Sequence, residues 1–304
     1  MKRAMKTRIA LGVVMIAAVC AVLWLDWWLE RRFCDRPAEY AEWLRIVLHG
    51  LPTTVVLVAL AVAAFSELAR LAAGAGAGIL PAAGTVGAVA VATCPRWCEP
   101  LWSNPPLPDS GLFLAGSLVW SSGFLMLLFV EQMVRHRTDG AVRRIGATLL
   151  AVAYIGIGLA LILCIRLLDV AALVVFLAAV KFTDIGAYFA GSAIGRHKMI
   201  PWLSPGKSWE GLAGGLIAAA AVSVLAARLL APRIETWQAA VFGVAVGLAG
   251  QFGDLCESLL KRSAQMKDSG AVVPEFGGVL DIIDSPLLAA PVALLMLEMF
   301  GRWR

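Results

Sequence analysis

Apolar runs long enough to cross a bilayer recur along the whole chain, and nothing else in the sequence constrains the fold so strongly. A transmembrane helix needs about 20 predominantly apolar residues. Runs of that kind fall near 9–29, 46–65, 71–93, 112–131, 145–165, 167–192, 211–231, 237–254 and 286–301. Charged residues make up only 15% of the chain and the mean hydropathy is +0.82, which excludes a water-soluble domain. Inside hydrocarbon every backbone polar group needs an internal partner, and uninterrupted runs of this length supply one as helices. The expectation is an all-α, polytopic membrane protein of nine transmembrane helices.

The basic residues orient it, because cytoplasmic loops carry an excess of lysine and arginine. With the N-terminus cytoplasmic, Lys2, Lys6, Lys198, Lys207, Lys261 and Lys267 all fall on that side, as does the cluster Arg135, Arg137, Arg143 and Arg144. Lys181 lies within a span, and nine spans put the C-terminus outside. The start, MKRAMKTR, has the charge of a signal-peptide n-region. Its apolar run continues through Trp24, Trp27 and Trp28 without a small-residue cleavage site, so it reads as a retained first span. The net charge of +5 suits anionic lipid headgroups and calls for no nucleic-acid partner. Cys20, Cys164 and Cys256 read as small apolar fillers. Cys34, Cys94 and Cys98 are expected on outer loops, where a disulfide stays open, and 94–111, with its five prolines, as an extended outer loop.

Chemistry gathers in the second half, which divides the chain into N-terminal spans (1–144) and a C-terminal catalytic membrane domain (145–304). Residues 251–285 hold nine acids and bases between two apolar runs: Asp254, Glu257, Lys261, Arg262, Lys267, Asp268, Glu275, Asp281 and Asp284. Charge at such a place is costly and is kept for a job. On a helix, Asp254, Glu257, Ser258 and Lys261 share one face. Carboxylates suit Mg²⁺, and ammonium or guanidinium groups suit phosphate. A solvated juxtamembrane loop laced with ion pairs is the alternative. Upstream, Lys181, Asp184 and Tyr188 lie along one face of an apolar run. Gly186, Gly191 and Gly195 allow close approach, either of a neighbouring helix or of a ligand. Arg196-His197-Lys198 forms a basic knot, and 204–208 (SPGKS) reads as a tight turn before a helix starting near Trp209, whose free N–H groups favour an anion. The glycine-lysine-serine triplet is not a nucleotide P-loop, because Pro201 stands where that motif needs glycine.

Both clusters resemble the CDP-diacylglycerol synthase (phosphatidate cytidylyltransferase) family. Its signature is matched by Ser258, Lys261-Arg262, Lys267-Asp268-Ser269-Gly270 and Gly277-Gly278, followed by Asp281 and Asp284. Asp184, Gly186 and Tyr188, and Ser204, Lys207, Ser208, Glu210 and Gly211, match the upstream pattern in order and spacing. The sequence departs twice, with Phe276 where the family has histidine and Ile282 where it has arginine.

The resemblance implies transfer of CMP from CTP to phosphatidate, giving CDP-diacylglycerol and pyrophosphate, at a site facing the cytoplasm of a bacterial-type inner or plasma membrane. It implies Mg²⁺, leaves a second, monovalent cation open, and implies a homodimer among membrane lipids. Taking the resemblance together with the helical stripe that adds Asp254, the catalytic set is Asp254, Lys261, Arg262, Lys267, Asp268 and Asp281. The substrate-binding set is Lys181, Asp184, Tyr188, Arg196, Ser204, Lys207, Ser208, Glu210, Ser258, Gly277 and Gly278. Asp254 and Asp281 are expected as principal metal ligands, supported by Asp284 and Glu257; the alternative for Asp284 is a helix N-cap. Other readings are a CTP-dependent lipid or polyprenol kinase, a non-catalytic lipid-binding relative, and a polytopic transporter. A transporter would place charges near mid-membrane in paired repeats, whereas here they collect in one half.

Overall fold

The computed structural model describes residues 2–34, 44, 47–102, 110–266, 269–270 and 277–300. Among these, nine long helices form: α1 (Lys2–Leu29), α2 (Leu51–Gly74), α3 (Pro81–Trp102), α4 (Ser110–His136), α5 (Ala141–Leu168), α6 (Val170–Ile194), α7 (Trp209–Leu230), α8 (Thr236–Ser263) and α9 (Leu280–Phe300). Eight of them, all but α3, are long and apolar enough to cross a membrane. The expected all-α polytopic class and the number of helices agree with this.

Boundaries differ where glycine and proline intervene. The spans expected at 46–65 and 71–93 become α2 and α3, because the chain breaks in the glycine-alanine run 74–78, where Gly76 takes a φ of 74° that few side chains tolerate. The chain re-enters a helix at Pro81, whose fixed φ suits a first helical position. The extended loop expected at 94–111 is instead helical up to Trp102 and again from Ser110, so Cys94 sits within α3; the side chains of Cys34 and Cys98 lie outside the described residues. The tight turn expected at 204–208 is a strand. Lys198–Ile200 (β1) and Ser204–Ser208 (β2) pair as an antiparallel hairpin, with the reversal at 201–203. The last stretch of α8 extends well past the apolar run at 237–254, so the charged stripe from Asp254 to Arg262 is its direct continuation.

One hydrophobic core draws Phe65 and Leu68 of α2 together with Phe176 of α6, Phe242 of α8 and Leu287 of α9. The division drawn at 144/145 falls inside α5, which is continuous through it and wound as π turns over Val152–Ile157. Helices α6 and α7 pack closely at Gly186, where a Cβ would meet that of Ala218 at 2.6 Å, and at Gly214, where one would meet that of Ala190 at 2.2 Å; of the two readings open for Gly186, the structure takes helix packing.

The loops fall into two groups. At one end α2–α3, α4–α5, the hairpin and α8–α9 come together: Gly78 lies against the Arg144 side chain, Gly74 against Ala264, and Arg262 Nε donates to the Leu203 carbonyl at 3.4 Å. At the other end Arg166, fully buried, pairs with Asp26 at 2.8 Å and Glu30 at 3.0 Å. Thr53 donates to the same Asp26, and Arg96 donates to the carbonyls of Val47 and His49.

Candidate functional site

The site lies at the first of these ends, where the tail of α8 faces the start of α9. Their approach is set by Gly253: a Cβ there would stand 2.7 Å from the Asp284 carbonyl oxygen, so only glycine lets the two backbones meet. Across that contact Asp254, Glu257 and Asp284 bring one carboxylate oxygen each within 4.8 Å of one another. Glu257 is fully buried and its Oε1 has no hydrogen-bond partner. A buried acceptor left without a hydrogen bond costs about 1–3 kcal/mol, so the cluster is poised for positive charge.

Two lysines flank it. Lys261, one turn beyond Glu257, places Nζ 2.5 Å from Glu257 Oε2 and 2.7 Å from Asp281 Oδ1. Lys207 reaches in from β2, with Nζ 2.8 Å from Asp254 Oδ2 and donating to the Gln251 carbonyl at 3.1 Å. Ser258 Oγ donates to Asp254 Oδ1 at 3.4 Å. The α8 stripe of Asp254, Glu257, Ser258 and Lys261 is therefore a real face, and the lysine of the upstream motif joins it.

Asp281 stands outside the triad. Its Oδ2 accepts from the Gly278 N–H at 2.6 Å, the Ser269 N–H at 3.1 Å and Ser269 Oγ at 2.8 Å. With Lys261 on its other oxygen, Asp281 is saturated and fastens the segment that leads into α9. Gly277 permits this with a φ of 94°, and a Cβ at that residue would meet Asp281 Oδ2 at 2.5 Å. Asp284 is not an N-cap, since α9 begins at Leu280; its Oδ1 accepts only the local Ser285 N–H at 2.6 Å, and the side chain turns to the triad.

The remaining sequence-derived residues divide. Asp184 accepts from Gln251 Nε2 at 3.0 Å and Lys181 donates to the Ile282 carbonyl at 3.0 Å, so these α6 side chains brace α8 and α9. Tyr188 does not join them: it is 72% exposed and meets Phe189 edge-on at 5.7 Å. Glu210 accepts from the backbone N–H groups of Arg196 and His197, each at 3.2 Å, and its Oε1 lies 2.6 Å from His197 Nδ1. It ties the hairpin to α7, and the Arg196 side chain stays exposed. Ser208 caps α7 by accepting from the Gly211 N–H at 3.1 Å, while Ser204 pairs with Ile200 in the hairpin. Gly278 is buried. Arg262 holds the α8 end to the hairpin through the Leu203 carbonyl. Ile282 packs partly buried against the apolar core. Lys267, Asp268 and Phe276 lie outside the described residues.

Two residues of this end were not anticipated. Glu67 of α2, fully buried, accepts from the N–H groups of Val279 at 2.9 Å and Leu280 at 2.8 Å and from Ser269 Oγ at 3.2 Å. Tyr154, in the π segment of α5, has a buried hydroxyl without a hydrogen-bond partner, within electrostatic range of Asp284, Glu257 and Asp254. Glu67 falls between the runs expected at 46–65 and 71–93, beside Arg70, and only the longer helix Leu51–Gly74 reveals it as a carboxylate within a span. Nothing marked Tyr154.

Comparison with known proteins places this geometry in context. The profile of the Cytidylyltransferase family matches residues 41–300. A phosphatidate cytidylyltransferase of Bacillus subtilis (strain 168) is 38% identical over 184 residues, 59% of this chain and 67% of that protein. The uncharacterized protein YnbB of Escherichia coli (strain K12) is 44% identical over 123 residues, 40% of this chain and 41% of that protein. A phosphatidate cytidylyltransferase of Brucella suis biovar 1 (strain 1330) is 43% identical over 129 residues, 42% of this chain and 47% of its own length. The chain thus spans two thirds of the first of these relatives and under half of the other two.

Proposed function

Because the chain belongs to the Cytidylyltransferase family, we propose that it transfers the cytidylyl group of CTP to phosphatidate, forming CDP-diacylglycerol and pyrophosphate. The observation that carries this is the carboxylate triad of Asp254, Glu257 and Asp284 with Lys207 and Lys261 ion-paired at its rim. A phosphate oxygen of the lipid forms a bond to the α-phosphorus of CTP, and the bond from that phosphorus to the oxygen bridging the β-phosphate breaks. No serine or cysteine nucleophile is needed; alignment and neutralisation of charge are the catalytic load.

The triad fits Mg²⁺, since three carboxylates with a partnerless Glu257 oxygen match the oxygen donors this ion takes alongside phosphate and water. What bound Mg²⁺ supplies is neutralisation of the negative charge on the phosphates. The chain's own cations do the rest. Lys207 and Lys261, now held by Asp254, Glu257 and Asp281, are placed to exchange those carboxylates for phosphate oxygens, and Arg262 stands beside the hairpin. Asp281 keeps α9, and with it Asp284, in place.

The site end also gathers Arg137, Arg143, Arg144, Arg196, Lys198, Lys207 and Arg262 on or beside its loops, which supports a cytoplasmic orientation. There CTP reaches the site from water while the acyl chains of phosphatidate stay in lipid. A homodimer is part of the same proposal, and light scattering of the detergent-purified protein tests it.

The deciding experiment supplies purified protein with Mg²⁺, phosphatidate and CTP labelled in the cytosine ring. Label should enter an organic-soluble product with equimolar release of pyrophosphate. A chelator should stop both, and added Mg²⁺ should restore them. Label remaining aqueous while phosphate moves to a lipid alcohol would make the protein a kinase instead.

A further inference from the structure

The N-terminal helices supply a residue to this site. Glu67 belongs to α2, far in sequence from every motif residue, yet its carboxylate receives the N–H groups of Val279 and Leu280 and the hydroxyl of Ser269. A helix start leaves N–H groups without intrahelical partners, and at α9 the acceptor comes from another helix. Space is also committed to it: a Cβ at Gly270 would meet Glu67 Oε1 at 2.6 Å. Arg70, on the exposed side, is its ion-pair partner at 3.8 Å.

The consequence runs through Ser269. Its single hydroxyl hydrogen lies between Glu67 Oε2 at 3.2 Å and Asp281 Oδ2 at 2.8 Å. Glu67 therefore touches both the start of α9 and the fastening around Asp281, and α9 carries Asp284 to within reach of Asp254 and Glu257 on α8. We propose that Glu67 is a positioning residue for the carboxylate triad, setting the place of α9 so that Asp284 closes the cation site. This deepens the proposed function and rests on its cation site, but not on the identity of the reaction.

An internal comparison separates positioning from plain stability. Glu131 of α4, also buried, caps α3 in the same way by accepting from the N–H groups of Ala82 at 3.2 Å and Ala83 at 2.6 Å. It belongs to none of the contacts around the triad. Glu67→Gln and Glu131→Gln thus weaken equivalent caps, each losing one accepting oxygen and the charge, and only the first is linked to Asp284.

The probe is Mn²⁺ binding to the detergent-purified protein, read by electron paramagnetic resonance without nucleotide or lipid, together with the Mg²⁺ dependence of turnover. Outer partners of metal ligands typically contribute about 10–100-fold in metal affinity. Glu67→Gln should weaken Mn²⁺ binding at least tenfold and raise the Mg²⁺ requirement in parallel, while Glu131→Gln leaves both within about twofold of wild type. Should Glu67→Gln fail to fold, Ser269→Ala, which removes only the hydroxyl bridge, should show the same direction. Equal Mn²⁺ affinity in wild type and the Glu67-side variant, or equal losses in the Glu131 variant, would overturn the assignment. A wild type whose Mn²⁺ affinity depends on Glu67 as expected, yet which forms no CDP-diacylglycerol, would overturn the proposed reaction and leave this inference standing.

Discussion

Lys207 Nζ lies 2.8 Å from Asp254 Oδ2, and this ion pair joins a hairpin strand to the α8 stripe across otherwise separate stretches of sequence. With the Asp184–Gln251 and Lys181–Ile282 hydrogen bonds, it makes one site of the two charged clusters. Asp254 is one third exposed and Lys207 one seventh, so the pair is at the mouth of the triad, where an incoming phosphate competes for the lysine.

Removing that cation should therefore weaken nucleotide use more than folding. A hydrogen bond to a charged group is worth about 1.5–3 kcal/mol, roughly 10–100-fold in a binding constant. Lys207→Ala is expected to raise the KM for CTP by at least about tenfold, with a melting temperature close to wild type. Steady-state kinetics against CTP at saturating Mg²⁺, beside a thermal melt in detergent, give both quantities. A variant that melts early and keeps its KM would make Lys207 a structural strut of the hairpin.

The acids at 281 and 284 should separate under the same substitution. Asp281 accepts three hydrogen bonds on one oxygen and pairs with Lys261 on the other; an asparagine cannot satisfy them all, and each buried donor left unmet costs about 1–3 kcal/mol. Asp281→Asn is thus expected to lower the melting temperature as well as activity. Asp284 sits among other carboxylates, so Asp284→Asn relieves like-charge repulsion and should not lower it, yet turnover should fall by roughly two orders of magnitude as the site loses a metal-holding charge. Parallel melts and rate assays decide it. Matching stability losses would show that both residues serve the fold.

The sequence made the frame legible because membrane depth imposes a period and a length that few soluble patterns share. The α8 stripe was equally readable, since spacings of three and four residues put Asp254, Glu257 and Lys261 on one face whatever they contact. The allocation of acids was not. Asp281 and Asp284 are identical in kind and one turn apart on α9, and only the folded positions of Gly278 and Ser269 reveal that the first is occupied and the second open. Glu67 escaped for a related reason: its partners are backbone N–H groups at a distant helix start, which leave no mark in composition. Glu210 and Tyr188 matched a motif, yet the former closes the hairpin and the latter faces outward. A motif names residues that belong together without saying which of them meets the ligand.

The far end of the molecule offers a test that the site and the fold can be separated. Arg166 is fully buried between Asp26 and Glu30, and Thr53 donates to the same Asp26. Breaking a buried pair by deleting one partner typically costs about 3–5 kcal/mol, because a charge is left uncompensated. Arg166→Ala should accordingly lower the melting temperature strongly while leaving the KM for CTP and the Mg²⁺ requirement unchanged in whatever folds. Replacing both charges, with Arg166→Met and Asp26→Leu, should recover much of the loss, since no orphaned aspartate remains; Glu30, at the more exposed edge of the network, keeps His49 at 3.4 Å. Thermal melts of the two singles and the double give the coupling between them. An additive double variant would mean that the ion pair contributes nothing, and a shifted KM would mean that this end communicates with the triad.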